Sequence, residues 1–287
     1  MAVTDDSIVL SCPVCTEPLT ATQPTGRALA CPAGHRFDAA KQGYFNLLTG
    51  RGTSFREDTS AMVEARAQFL AAGHYTPLAE ALAEEAVSAH HGRIPRILDA
   101  GAGTGYYLDA VARAFDKAPG GRPESLALDI SRYAMRRAAK LPRTRALVWD
   151  LWRRLPVADA GVDLVLDVFA PRNGAEFARV LAPGGHALVA TPLPEHLGEA
   201  MGPLGLLSIG TGKGESVADA LGQDFEPLHT RIVRTPLHLS DDDAVRLALM
   251  GPAGHHHDAA GIRERLAVHP VPQVVTAAFR IQVFRRR

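Results

Sequence analysis

Cys12, Cys15, Cys31 and His35 stand in the first 35 residues as Cys-x2-Cys, fifteen residues, then Cys-x3-His. Three thiolates and an imidazole presented by two tight turns suit tetrahedral zinc. Pro13, Pro32, Gly26 and Gly34 supply the turn chemistry. Four protein ligands close the coordination sphere, so the metal is expected to be structural, and a module this short needs its folding energy. The alternative is a redox or free thiol pair, which belongs at a strand-to-helix junction of a βαβ unit. An odd number of cysteines, all early in the chain, excludes a disulfide framework.

A second chemistry begins at Asp99, two residues before the turn Gly101-Ala-Gly103-Thr104-Gly105. A dinucleotide fingerprint needs a sixth-position glycine, and Tyr106 occupies that place. An acid before such a turn instead suits a ligand whose near end is a cationic ammonium or sulfonium. Asp129 closes the apolar run Ser125–Asp129 and is placed to accept from ribose hydroxyls. Asp150 closes the run Ala146–Trp149 and is placed to accept from an adenine amino group. Each acid alone also reads as a helix cap or turn residue. Together with the glycines they point to S-adenosyl-L-methionine.

The elements that must hold these residues are legible as alternating periods. Ile94–Asp99 reads as a strand, Tyr106–Phe115 as a helix, and Val162–Phe169 and His186–Thr191 as further strands. Ile232–Leu239 and Thr276–Phe284 have the alternation of strands that close a sheet. The expected fold is α/β: a class I Rossmann-like, doubly wound methyltransferase domain behind a small N-terminal zinc-binding module, with ligand at the carboxyl ends of the strands. Residues 1–50 read as the zinc module, 51–92 as a linker with helices such as Ser60–Ala72, and 93–287 as the catalytic domain.

Composition limits the partners. The 287 residues carry 31 Lys plus Arg against 31 Asp plus Glu, so bulk charge draws the chain to neither nucleic acid nor membrane. Apolar stretches such as Ala182–Pro194 fall short of the ~20 residues that span a bilayer. Asp5 and Asp6 stand where a secretion signal is basic, so a soluble, cytoplasmic protein is expected. One block is basic: Arg132, Arg136, Arg137, Lys140, Arg143, Arg145, Arg153 and Arg154 against Asp150. Arg132, Arg136 and Lys140 are expected to share a helix face, either as an RNA contact or as a solvated surface. Loop Arg51–Arg56 is expected to help the zinc module read RNA shape. Tyr106, Tyr107, Trp149, Trp152 and Phe169 are candidates for stacking on a base, most of them expected in the core. His90-His91 and His255–His257 read as exposed polar turns rather than metal sites, and Arg285–Arg287 as a solvated terminus.

Longer motifs accompany the cysteines: Phe37-Asp-x-Ala-Lys41-x-Gly43-Tyr44-x-Asn46, Ala72-Gly-His-Tyr75, Phe169-Ala-Pro171 and Ala190-Thr-Pro-x-Pro-x-His196-Leu. With Asp99–Tyr107 they make nearly the whole chain resemble the RlmA family of large-subunit rRNA guanine-N1 methyltransferases. Ala170-Pro-Arg-Asn173 and Met250-Gly-Pro252 resemble its Gram-positive, macrolide-resistance branch. The resemblance implies zinc on Cys12, Cys15, Cys31 and His35, and cofactor against Gly103 and Thr104. It also implies cofactor contacts from Tyr75 and His196, which the residues alone would assign to a buried aromatic and a cap or surface histidine. It further implies a guanine in a 23S rRNA hairpin loop near the macrolide site, and a homodimer. Residues beyond 198, Gly210–Gly214 included, receive no role.

Two other readings stay open: a small-molecule methyltransferase with an appended zinc module, and an RNA-binding module that kept the cofactor fold. No catalytic base is assigned, and Asp167 is expected to be structural or solvated.

Overall fold

The computed structural model describes residues 7–22, 26–50, 52–90, 93–116, 121–206 and 216–287. Asp5, Asp6, Arg51, His91 and Gly210–Gly214 lie outside the described residues.

Four short strands begin the chain: β1 (Leu10–Ser11), β2 (Pro18–Ala21), β3 (Ala28–Ala30) and β4 (Arg36–Asp38), antiparallel in that order. The β1–β2 turn carries Cys12 and Cys15, and Cys31 and His35 bracket the β3–β4 turn. Strand β5 (Phe45–Asn46) then leaves this sheet to pair in parallel with a strand of the large one, Phe45 opposite Leu147. Two helices follow. In α1 (Ser60–Ala71) the Thr59 hydroxyl accepts from the Met62 N–H and caps the first turn, and α2 (Thr76–Ala89) carries Pro77 where no amide partner is needed.

The α/β layers are β6 (Arg96–Ala100), α3 (Tyr106–Phe115), β7 (Glu124–Asp129), α4 (Arg132–Ala138), β8 (Thr144–Val148), β9 (Val162–Val168), α5 (Gly174–Val180) and β10 (Leu181–Pro192). After them come α6 (Met201–Leu204), α7 (Val217–Leu221), β11 (Phe225–His238), α8 (Asp241–Met250), α9 (Ala259–Val268) and β12 (Val274–Arg286). The large sheet runs β11-β12-β10-β9-β6-β7-β8-β5, parallel from β10 to β5, with β12 antiparallel to both neighbours. All seven residues of β9 are buried, as expected for a strand covered on both faces.

One face of the sheet packs Ile97, Leu164 and Leu166 against Leu78 and Leu82 of α2 and Val111 of α3. The other packs Leu98, Leu126 and Val165 against Phe177 of α5 and also against Leu10, Leu19 and Leu29 of the small sheet. The cysteine-bearing module is thus part of the second core. Backbone bonds stitch the join: Ser11 N–H donates to the Pro156 carbonyl (3.1 Å) and Ala158 N–H to that of Val9 (3.0 Å).

The basic block differs from expectation. Helix α4 ends at Ala138, so Lys140 is not on the helix face of Arg132 and Arg136. Acids far away in sequence also neutralise part of it: Arg132 pairs with Glu57, Arg137 with Glu64 and Arg145 with Glu124, while Arg153 and Arg154 pair locally with Asp150 and Asp159. A charge count along the chain cannot register such partners. His255 also departs from the exposed turn expected of it, being half-buried with its Nε2 4.0 Å from Asp58.

Candidate functional site

The four metal-ligand candidates converge, their donor atoms all lying within 4.8 Å of one another. Cys15 Sγ is 3.6 Å from Cys31 Sγ, and Cys31 Sγ is 3.3 Å from His35 Nδ1. Those separations are close to the ~3.8 Å edge of a tetrahedron with ~2.3 Å zinc–sulfur bonds. Burial opposes ionisation of the Cys31 thiol, but hydrogen bonds from the His35 side chain and backbone bring it down to about 7. A thiolate-rich, tetrahedral donor set of this kind fits zinc. It stands between β-turns and not at a strand-to-helix junction, so the redox alternative lacks its structural context.

The second cluster forms where the parallel strands end. The turn after β6 is held against β7 because Gly101 N–H and Ala102 N–H both donate to the Leu128 carbonyl (2.8 and 2.9 Å). Gly101 has φ +78°, and a Cβ there would lie 2.4 Å from Ala170 Cβ, so glycine is required twice over. Gly103 has φ +53°, and a Cβ there would lie 3.8 Å from Arg66 Nη1, an ordinary van der Waals separation. Gly105, also left-handed, caps α3, and Thr104 is half-buried.

The three acids meet at this edge in different states. Asp129 Oδ2 accepts from Gly103 N–H and Oδ1 from Ser131 N–H, each at 2.8 Å. Burial nonetheless raises its pKa. Asp150 is brought beside it by the bond from Trp149 N–H to the Asp129 carbonyl (2.9 Å). Its carboxylate accepts from the Thr53 hydroxyl (2.8 Å) and Trp152 N–H (3.0 Å). Each of these carboxylates is therefore a turn residue in part, yet keeps free lone pairs for a ligand. Asp99 differs, being 2% exposed, and burial together with the neighbouring Asp129 pushes it up to about 8, with no hydrogen bond from the described residues to offset this. A buried acid without a hydrogen-bond partner among the described residues, beside a left-handed glycine turn, fits a ligand with a cationic end.

Tyr75 and His196 also come together, 121 residues apart in the chain. Tyr75 Oη lies 3.3 Å from His196 Nε2, and His196 Nδ1 accepts from Ala278 N–H at 3.1 Å. Phe279 packs on both rings, and Phe169 packs on Phe279 and Tyr107, which places the group beside the end of β9. Burial lowers His196 to about 4, so the ring is neutral at ordinary pH. Of the stacking candidates, Trp149 and Tyr107 are core, whereas Trp152 and Phe169 are exposed. Phe169 also has φ +57°, a strained conformation for an aromatic residue.

Several residues at this edge carry no local sequence signal. Thr53, Asp58 and Arg66 come from the segment before and within α1, which crosses the strand ends. Thr53 reaches Asp150, the Asp58 carbonyl accepts from the Ser131 hydroxyl, and Arg66 Nη1 faces Gly103. Asp167, expected to be structural or solvated, is fully buried; burial raises its pKa well above the carboxylate range, and Arg172 Nε stands 3.4 Å away. A groove of about 1180 Å3 lies between α2 and α3 and touches none of the strand-end acids.

Residues 10–50 match the family described as RlmA, N-terminal, and residues 97–185 match the Methyltransferase domain family. Over 96% of its length the chain is 41% identical to the 23S rRNA (guanine(748)-N(1))-methyltransferase of Streptomyces fradiae, of which 96% is covered. A Micromonospora griseorubida protein named for the same 23S rRNA guanine-N1 methylation is 47% identical across 96% of this chain and 97% of its own. YxjB of Bacillus subtilis, with a like name, is 33% identical over 69% of each chain. The Cys3His cluster, the strand-end acids and these full-length likenesses agree, and the chain belongs to the family of 23S rRNA (guanine-N1)-methyltransferases.

Proposed function

We propose that this chain transfers the methyl group of S-adenosyl-L-methionine to N1 of a guanine in a hairpin loop of 23S rRNA near the macrolide site, and so confers macrolide resistance. The observation that carries the reading is the meeting of Asp99, Asp129 and Asp150 around a left-handed glycine turn, in a chain that aligns end to end with rRNA guanine-N1 methyltransferases.

The donor supplies an electrophilic methyl on a sulfonium, so the protein's work is placement. Gly101, Gly103, Thr104 and Gly105 form the floor, Asp99 faces the ammonium, Asp129 accepts from the ribose hydroxyls and Asp150 from the adenine amino group. Tyr75 and His196 close the methionine end. Their mutual hydrogen bond fixes the direction of both polar tips, since His196 Nδ1 already accepts from Ala278 N–H and Nε2 must therefore carry the proton. N1 of guanine lies on the pairing edge, so the base must leave its stack. Exposed Phe169 offers it a face at the end of β9, and Trp152 a second near Asp150. Cys12, Cys15, Cys31 and His35 hold a structural zinc that shapes the RNA-facing module. No described helix is long and apolar enough to cross a membrane. The reading places the enzyme in the cytoplasm with its rRNA and allows a homodimer that widens the RNA cleft.

Reverse transcription tests this directly, because a methyl on N1 blocks pairing. Unmodified 23S rRNA incubated with protein and donor should give one new stop beside a loop guanine. Donor binding without any stop would favour the small-molecule reading.

A further inference from the structure

Arg66 of α1 stands over the glycine turn. Its Nη1 is the one heavy atom among the described residues within 4 Å of where a Cβ on Gly103 would be, at 3.8 Å. Nη1 also pairs with Asp58 Oδ2 at 2.6 Å, and Nη2 donates to the Met250 carbonyl at 2.5 Å. These contacts use two of the five guanidinium donors. The side chain remains about one-quarter exposed (26%), so it is not fully enclosed by these partners. Its positive charge reaches both Asp129 and the Tyr107 hydroxyl, which has no hydrogen-bond partner among the described residues.

The amino-acid end of adenosyl-methionine carries an α-ammonium and an α-carboxylate. Asp99 is matched to the first. The second is an anion entering an edge lined by Asp99, Asp129, Asp150 and Asp58, where like charge repels it unless a cation is fixed beside it. Arg66 is that cation, and α1 presents it at the turn where the chain of the ligand passes. Asp58 and the Met250 carbonyl hold the guanidinium in place before the ligand arrives, which lowers the ordering cost of binding.

We propose that Arg66 is a donor-binding residue that clamps the α-carboxylate of adenosyl-methionine, opposite Asp99. This rests on the reading of the crevice as a methyl-donor site. The test uses the full zinc-loaded chain and calorimetric titration with two probes: S-adenosyl-homocysteine, and S-adenosyl-3-thiopropylamine, which keeps the amine and lacks the carboxylate. Loss of a charge-assisted pair predicts that Arg66→Gln weakens S-adenosyl-homocysteine roughly 10- to 100-fold. The amine probe should change less than about threefold, so that the variant no longer distinguishes the two ligands. Arg66→Lys, which keeps the charge and loses the fork, should recover part of the affinity. Equal weakening of both probes would mean that Arg66 only braces α1 against Asp58 and Met250, and would overturn the assignment, as would no change with either. Wild-type protein that binds neither probe would instead overturn the donor site itself. No RNA is needed, so the identity of the methyl acceptor does not enter.

Discussion

His196 is held between two partners of opposite kind: its Nδ1 accepts from Ala278 N–H at 3.1 Å, and its Nε2 lies 3.3 Å from Tyr75 Oη. Burial keeps the imidazole neutral down to about pH 4, against about 6.5 for a free histidine. A folded pKa below the unfolded one means that the unfolded chain binds the proton first. The stability this residue contributes is present above pH 6.5 and is lost as pH falls toward 4. Between those values the loss should approach about 1.4 kcal/mol per pH unit. Denaturant unfolding at a series of pH values should show this slope in the wild type and a flatter one in His196→Gln. Parallel curves would refute the assignment.

Asp99 has the opposite sign. Its folded pKa of about 8 means that the folded, ligand-free chain keeps a proton through neutral pH. A cationic ligand must displace it, so S-adenosyl-homocysteine should bind with proton release at pH 7 and gain affinity up to about pH 8, then level off. Buffers of different ionisation enthalpy measure that release in a calorimeter. Asp99→Asn should abolish the pH dependence and weaken binding by on the order of 2 kcal/mol. For folding, the raised pKa makes Asp99 a liability above the unfolded value near 4, growing until pH passes 8, so Asp99→Asn should stabilise the ligand-free chain at pH 8.

Cys12 and Cys31 share a core with Leu98, Leu126 and Phe177 of the large domain. Zinc removal should therefore lower the unfolding midpoint of the whole chain and not release a separate early transition of the first fifty residues. Scanning calorimetry with and without chelator decides this, and Cys31→Ser should reproduce the chelated profile. Two well-separated transitions would contradict the shared core.

Phe169 is 42% exposed, in a left-handed conformation at the end of β9. If it stacks on the extruded guanine, Phe169→Leu should raise KM for RNA by an amount equivalent to roughly 1–3 kcal/mol. The affinity for S-adenosyl-homocysteine should stay within about twofold. A selective loss of donor affinity would instead place this ring on the cofactor.

The spacing of the cysteines, the periodicity of Ile94–Phe115 and the acids at the strand ends were readable from the chain alone. Local turn chemistry and strand pattern are written in neighbouring residues. Asp99, Gly101 and Asp129 accordingly lie where the pattern puts them. What pairs with what across the fold is not local. Glu57 and Glu64 cancel arginines more than seventy positions away, Arg66 arrives over Gly103 from a helix that precedes the first strand of the domain, and Tyr75 meets His196 across 121 residues. The docking of Leu10 and Leu29 on the back of the sheet is of the same kind, because burial of an apolar face fixes that a partner exists and only the packed chain decides which.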